Sequence, residues 1–225
     1  YESLSSLHIA FLSAERDIQL QLQALSYGAD DFITKPISNE HLVTAVKLRL
    51  ARNRDIKSLI ERDSLTGLVK HGSIKDAVLT EFDRMQRCGE HFCIAMIDLD
   101  YFKSVNDSYG HAIGDVVIGT IATLLRKRLR RSDKAGRYGG EEVMVVLPKC
   151  RAKDAKLLIE SILRSFRDIH FSAGQQSFSC TFSAGIACSS SGYADADMMM
   201  NASDQILYNA KRGGRNRVFI DLEGE

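Results

Sequence analysis

Three absences bound what this 225-residue chain is. No apolar run approaches the ~18 residues that a bilayer-spanning helix needs, so no membrane segment is expected. The formal net charge is only +1, from 30 Lys and Arg against 29 Asp and Glu. A general nucleic-acid binder is clearly basic, so no nucleic acid is expected as a partner. The five cysteines, Cys88, Cys93, Cys150, Cys180 and Cys188, form no Cys-x-x-Cys pair, and several lie inside apolar runs. They read as small buried hydrophobes in a reducing cytoplasm, not as a metal site or disulfides. No internal repeat, low-complexity segment or signal peptide is visible. The chain begins at Tyr1 and not at Met, so an upstream part is expected. The remainder, 44% hydrophobic and 26% charged, is the composition of a soluble globular protein.

The apolar pattern divides the chain. Residues 7–12 form a short strand-like run, residues 14–27 look helical, and residues 32–34 form another short strand ending at Lys35-Pro36. Ser38-Asn39 caps a helix expected over residues 40–62, since no glycine or proline occurs between Ile37 and Thr66. That helix is either a solvated connector or a stalk that pairs with its copy in a dimer. Beyond Gly67, helices are expected over 72–88, 112–130, 152–167 and 195–212. A strand is expected over 92–99, a hairpin over 134–147, a strand pair over 169–188 and a last strand over 217–221. This alternation points to an α+β fold, a central, mostly antiparallel sheet flanked by helices.

The chemistry concentrates at strand ends. The run FCIAMIDLD is apolar on both faces, so Asp98 stands at the edge of a core, where ionisation is costly unless a cation is near. In RYGGEEV, Gly139-Gly140 suits a two-residue turn with positive φ, and Glu141-Glu142 follow at once. If the two strands are neighbours, Asp98 and Glu141 converge. Carboxylate oxygens without His or Cys suit Mg²⁺, although GGEE alone also fits a pair of solvated turn acids. Alternation along a strand argues against Glu141 and Glu142 both holding one ion. Phe102-Lys103 offer backbone N–H groups and an ammonium. Residues 211–217, KRGGRNR, place cations about a glycine pair, which also fits an ordinary helix C-cap.

Five segments carry a resemblance: Asp63-Ser64-Leu65-Thr66-Gly67-Leu68, Asp98 through Asp107, Tyr109 through Asp115, Arg137 through Glu142, and Lys211 through Arg217. In order and spacing they resemble the GGDEF family, bacterial diguanylate cyclases that join two GTP into cyclic di-GMP with release of pyrophosphate. The likeness covers residues of about 60–221 and implies a nucleotidyl-cyclase-like palm over 63–225. By position it implies Mg²⁺ (or Mn²⁺) held by Asp98, Glu141 and the Leu99 carbonyl. Glu141, supported by Glu142 and Lys103, would carry the catalysis, with Glu141 accepting the 3′-hydroxyl proton. Phe102, Lys103, Lys211 and Arg215 would hold the phosphates, and Asn106 and Asp115 the guanine edge. Each domain of this family holds one GTP, which implies a homodimer. A catalytically silent member that binds GTP or cyclic di-GMP and signals through a partner is the alternative. The metal and nucleotide residues are all present, which favours the active reading.

The chain departs from the family in two places. Val143 stands where Phe is usual, and Val69-Lys70-His71 replaces the family's xNR. Arg130 and Asp133 resemble the family's RxxD product-inhibition site. Ser161 stands where a secondary arginine is usual, which would weaken that site. Residues 1–52 resemble the C-terminal half of a response-regulator receiver, running into a helical linker to about 62. Ser13 would be the phosphoryl-sensing hydroxyl and Lys35 its cationic partner, with a cis bond at Lys35-Pro36. The phosphoacceptor aspartate is expected upstream, with a histidine kinase as the partner that loads it. The setting implied is the bacterial cytoplasm.

Overall fold

The structure, a computed structural model, describes residues 9–221, with the backbone alone for 51–60. Two compact units result, Tyr1–Leu59 and Ile60–Glu225. In the first, β1 (Ala10–Ser13), α1 (Ile18–Ser26) and β2 (Asp31–Thr34) form a β-α-β unit with the strands parallel. The helix starts later than residue 14. Residues 14–17 make a capping loop in which Glu15 accepts from the amides of Arg16 and Asp17, and Asp17 accepts from Gln19 N. The expected first strand begins at residue 10, and its residues 7 and 8 lie outside the described residues. Lys35–Pro36 is cis. The helix α2 (Asn39–Glu61) runs unbroken from this unit to the start of the second.

The second unit is built on a five-stranded sheet in the order β4 (Lys134–Arg137), β5 (Glu142–Pro148), β3 (Phe92–Leu99), β8 (Phe182–Cys188), β9 (Val218–Ile220). All neighbours are antiparallel except the parallel β8–β9 pair. The α+β expectation holds. Every residue of β3 is buried, because helices cover both faces. Its odd positions, Cys93, Ala95, Ile97 and Leu99, enter one core with α4 (Phe102–Tyr109), α5 (His111–Arg128) and α6 (Ala152–Arg167). Its even positions, Phe92, Ile94 and Met96, enter a second core with α3 (His71–Cys88) and α7 (Ala196–Arg212). That parity places Asp98 on the α3/α7 face.

Three expectations are corrected. Residues 102–109 form a helix that the pattern did not suggest, because only Phe102 and Val105 of it are buried. The expected pair over 169–188 is three strands. A small hairpin, β6 (Phe171–Ala173) with β7 (Gln176–Phe178), precedes β8 and packs by stacking Phe178 on Tyr109 at 4.3 Å. Cys93 and Cys188 are register partners across β3 and β8 and are paired as a disulfide, where free buried thiols were expected. Among the described residues no helix is long and apolar enough to cross a membrane.

The helix α7 lies directly on β8 at Gly185. A β-carbon there would overlap the Leu207 amide and the Ser203 carbonyl of the helix backbone. Backbone cannot swing aside as a side chain can, so this contact sets the height of α7, and with it Lys211, over the sheet. The variant Gly185→Ala is expected to lose about 1–3 kcal/mol of stability. An unchanged urea midpoint would show that the helix can lift at no cost.

Candidate active site

Asp98, the next-to-last residue of β3, lies directly opposite Glu142 in the antiparallel register with β5. The shared parity of Asp98 and Glu142 puts both on the α3/α7 face. Asp98 is 6% exposed. Burial pushes its carboxyl up from 3.8 to about 6, against the pull of Lys211, and the charges of Glu141 and Glu142 push it further. Lys211 Nζ lies 2.8 Å from Asp98 Oδ2. The sheet therefore gathers three carboxylates at one end, and the Lys211 ammonium, from the last turn of α7, meets Asp98 there. Sequence reasoning paired Asp98 with Glu141. The register adds Glu142 as the direct cross-strand partner.

Two residues on, the buried Asp100 is held quite differently. Its oxygens accept from Thr181 Oγ1 at 2.7 Å, Ser183 Oγ at 2.7 Å and the Asn216 amide at 2.9 Å. Neutral donors satisfy this carboxylate, which makes it a staple between β3, β8 and the loop after α7. That loop needs one. Arg215 and Asn216 have φ of 61° and 48°, a left-handed backbone that non-glycine residues adopt only when held. The Arg215 guanidinium lies 4.6 Å over the Tyr101 ring, joining this loop to the start of α4. Sequence reasoning missed Asp100 as an anchor; its one sign was a second acid at the same strand end.

The helix α4 opens with its first two amides, Phe102 and Lys103, free of any side-chain cap. Phe102 is buried in the core, while the Lys103 side chain is exposed. At the crossing of α4 and α5, Asn106 packs on Gly114 so closely that a β-carbon there would overlap Asn106 Oδ1. Asp115, the next residue, is exposed. Asn106 Oδ1 is buried and has no hydrogen-bond partner among the described residues. A buried acceptor left in that state costs about 1–3 kcal/mol, so the site suits a donor from outside the chain.

The loop bearing Glu141 is not the expected two-residue turn. It spans residues 138–141, and neither Gly139 nor Gly140 has positive φ. Gly139 faces the Glu142 side chain instead: a β-carbon there would meet the Glu142 carboxylate, which would have to swing aside. Arg137 holds the loop. Its guanidinium donates to the Gly140 carbonyl at 2.8 Å and its Nε to the Gly139 carbonyl at 3.3 Å. Arg137 also meets Asp63 at 3.2 Å. Burial would raise the Asp63 carboxyl, but hydrogen bonds from Thr66 and the charge of Arg137 outweigh it and hold it below the usual range.

The remaining candidates lie apart. Asp133 closes a turn by accepting from the Arg130 amide at 2.8 Å. Both line a groove of about 410 Å³ with Arg62, Arg126 and Arg131. Ser161 Oγ donates to the Leu158 carbonyl at 2.9 Å. In the N-terminal unit, Ser13 and Lys35 meet at the ends of paired strands, where the Lys35 amide donates to the Ser13 carbonyl at 2.7 Å.

No group of three or more His, Cys, Asp or Glu side chains among the described residues is set to hold a metal. A site of two carboxylates and the Leu99 carbonyl needs no such group. A divalent cation fits the donor chemistry, since these are hard oxygens and Asp98 is raised first by burial and then by the charges of Glu141 and Glu142.

Known proteins are similar to this chain in sequence and in fold. Residues 60–217 match the family described as diguanylate cyclase, GGDEF domain. The chain is 37% identical over 158 residues to diguanylate cyclase DgcP of Pseudomonas aeruginosa, covering 70% of this chain and 23% of that protein. It is 29% identical over 209 residues to the response regulator PleD of Caulobacter vibrioides, covering 88% and 46%. The chain thus spans less than half the length of these curated relatives. Among solved structures, the GGDEF domain of DgcB from Caulobacter crescentus in complex with c-di-GMP aligns with a TM-score of 0.69 at 30% identity, over 72% of this chain and 93% of that one. The active GGEEF domain of a diguanylate cyclase from Vibrio cholerae aligns at 0.65 and 33% identity, over 68% and 97%. Five motifs, the palm-like sheet and the acids at its end agree with these likenesses, and the chain belongs to the GGDEF diguanylate cyclase family.

Proposed function

We propose that the chain is an active diguanylate cyclase, converting two GTP into cyclic di-GMP and two pyrophosphates as a homodimer. The observation that carries this reading is Asp98, a buried carboxylate facing Lys211 and crowded by Glu141 and Glu142. Among the charges that act on Asp98, Lys211 alone opposes Glu141 and Glu142, which leaves negative charge at the end of a strand and suits a cationic partner. Mg²⁺ (or Mn²⁺), held by Asp98, Glu141 and the Leu99 carbonyl, would supply the charge neutralisation that phosphoryl transfer needs.

The chain's own residues account for the rest. Lys103, Lys211 and Arg215 are the cations for the triphosphate, with the free amides of Phe102 and Lys103 at the start of α4. Asn106 has an unpaired buried acceptor for a guanine N–H, and Asp115 supplies a carboxylate beside it. Adenine presents no donor on the corresponding positions. Glu141 accepts the proton of the 3′-hydroxyl as that hydroxyl's oxygen attacks the α-phosphorus of the second GTP, and Glu142, the next residue, supports the site opposite Asp98. Each domain holds one nucleotide, so two must face each other and a monomer is inactive. The groove of Arg130 and Asp133 is the site of product inhibition by cyclic di-GMP, with arginine forks for its phosphates. Residues 1–52 are the C-terminal half of a receiver in a cytoplasmic two-component protein. The match with the response regulator PleD over 88% of the chain supports this.

Glu141→Ala is expected to abolish cyclic di-GMP formation from GTP and Mg²⁺ while leaving the thermal midpoint near that of wild type; equal turnover would remove Glu141 from the mechanism. The Asp98 carboxyl has a folded-state pKa of about 6 against an ordinary 3.8. The folded state therefore holds its proton more tightly, and stability falls as pH rises between these values and is level above. Relative to Asp98→Asn, wild type should lose thermal stability across that window. Adding Mg²⁺ at pH 7 should restore it to wild type and leave the Asn variant unmoved. A pH-independent difference would show that burial does not raise the Asp98 carboxyl, and the same Mg²⁺ shift in both proteins would remove Asp98 from the metal site. In Arg130→Ala, inhibition by added cyclic di-GMP should weaken more than about tenfold, the loss of hydrogen bonds to a charged group, with uninhibited turnover retained. Undiminished inhibition would place the product elsewhere.

A further inference from the structure

The carbonyls of Tyr138, Gly139 and Gly140 immediately precede Glu141, and none of the three is held by the sheet ladder. Side chains hold them instead. Arg137 takes those of Gly139 and Gly140. The Tyr138 carbonyl is taken by His71, whose Nδ1 lies 2.7 Å away across 67 residues of sequence. The His71 ring also lies 4.4 Å from the Tyr138 ring, tilted by 35°. A carbonyl oxygen only accepts, so Nδ1 must carry the proton. The Tyr138 amide in turn donates to the Glu142 carbonyl at 2.8 Å. Tyr138 is thus fixed at both ends of its peptide, one end by His71 and the other by the residue after Glu141.

His71 is itself firmly placed. It is the first residue of α3. Two residues earlier, the Val69 amide donates to the Ala135 carbonyl at 3.1 Å and the Val69 carbonyl accepts from the Arg137 amide at 2.8 Å. Three residues later, Ile74 packs on Gly136 so tightly that a β-carbon there would overlap it. The histidine therefore projects from a rigid edge of β4 onto the entry of the GGEE loop. It also lies in the stretch, Val69-Lys70-His71, where this chain departs from the pattern of its family.

We propose that His71 is a positioning residue for Glu141 and Glu142: by its Nδ1–H bond to the Tyr138 carbonyl it sets the entry of the loop that presents them. This rests on the cyclase reading. His71 is exposed and Tyr138 only half-buried, so losing the bond changes the geometry of the loop more than the stability of the fold.

The test compares wild type, His71→Ala and His71→Asn in GTP turnover, with a long-range ¹H–¹⁵N spectrum of the histidine ring of the intact chain. The Asn side chain can place an amide donor near the position of Nδ1. In the Ala variant kcat should fall about fivefold to tenfold, the worth of one hydrogen bond, with KM for GTP within about twofold. The Asn variant should recover most of kcat, and the thermal midpoints should stay close together. The spectrum should show the Nδ1–H tautomer. Unchanged kcat in the Ala variant, failure of Asn to rescue, or an Nε2–H tautomer would each overturn the proposal. A wild type without turnover would sink the cyclase reading instead, and the tautomer would still decide whether His71 holds the loop.

Discussion

A carboxylate at the buried end of a central strand must be matched by a donor or a cation, or remain protonated. This chain meets that constraint twice within three residues and in opposite ways. Asp100 is surrounded by two hydroxyls and a backbone amide. These neutral donors satisfy it without bringing net charge, and the result is a structural staple. Asp98 is given one ammonium and two further acids. Its charge is deliberately under-compensated, as buried charges outside functional sites rarely are. The contrast separates scaffold from site without reference to any relative.

The scaffold around that site is tight where it positions charge. The helix α7 touches β8 backbone to backbone at Gly185 and so determines where Lys211 stands. The strained turn of Arg215 and Asn216 is tied down by Asp100 beneath and by Tyr101 alongside. The GGEE loop, lacking a ladder of its own, is held by Arg137 and His71. Asp98 and Glu142 are located by the ladder of β3 and β5, while Lys211 and the loop that bears Glu141 are located by contacts with other elements.

How much of this could be read in the chain follows from the physics of each element. The strand Phe92–Leu99 and the helix Ala152–Arg167 were legible to the residue. An unbroken apolar run and a strongly one-sided helical face leave little choice of structure. The helix α4 was not, because eight residues with two buried positions carry no period to detect. The hairpin was misread in its turn, since glycine pairs signal positive φ in general. Here neither glycine takes positive φ, and Gly139 lies against the Glu142 carboxylate. That Asp98 and the GGEE acids share one end of the sheet was legible from the motifs. That Glu142 is the residue directly opposite Asp98 was not, since register depends on where the loop ends. Nor was the pairing of Cys93 with Cys188, cysteines 95 positions apart, visible without the β3–β8 register.

The two units differ in what their packing can support. The cyclase unit has two cores, one on each face of its sheet. In the N-terminal unit no described residue is fully buried, and Ile9, Phe11, Leu12, Ile18, Leu20 and Leu22 are exposed. A two-stranded parallel sheet leaves both faces for other elements to cover, and parallel strands are normally buried on both. Stability of the described chain therefore resides in residues after 60, where the chemistry is, and a site held to hydrogen-bond precision needs that rigidity.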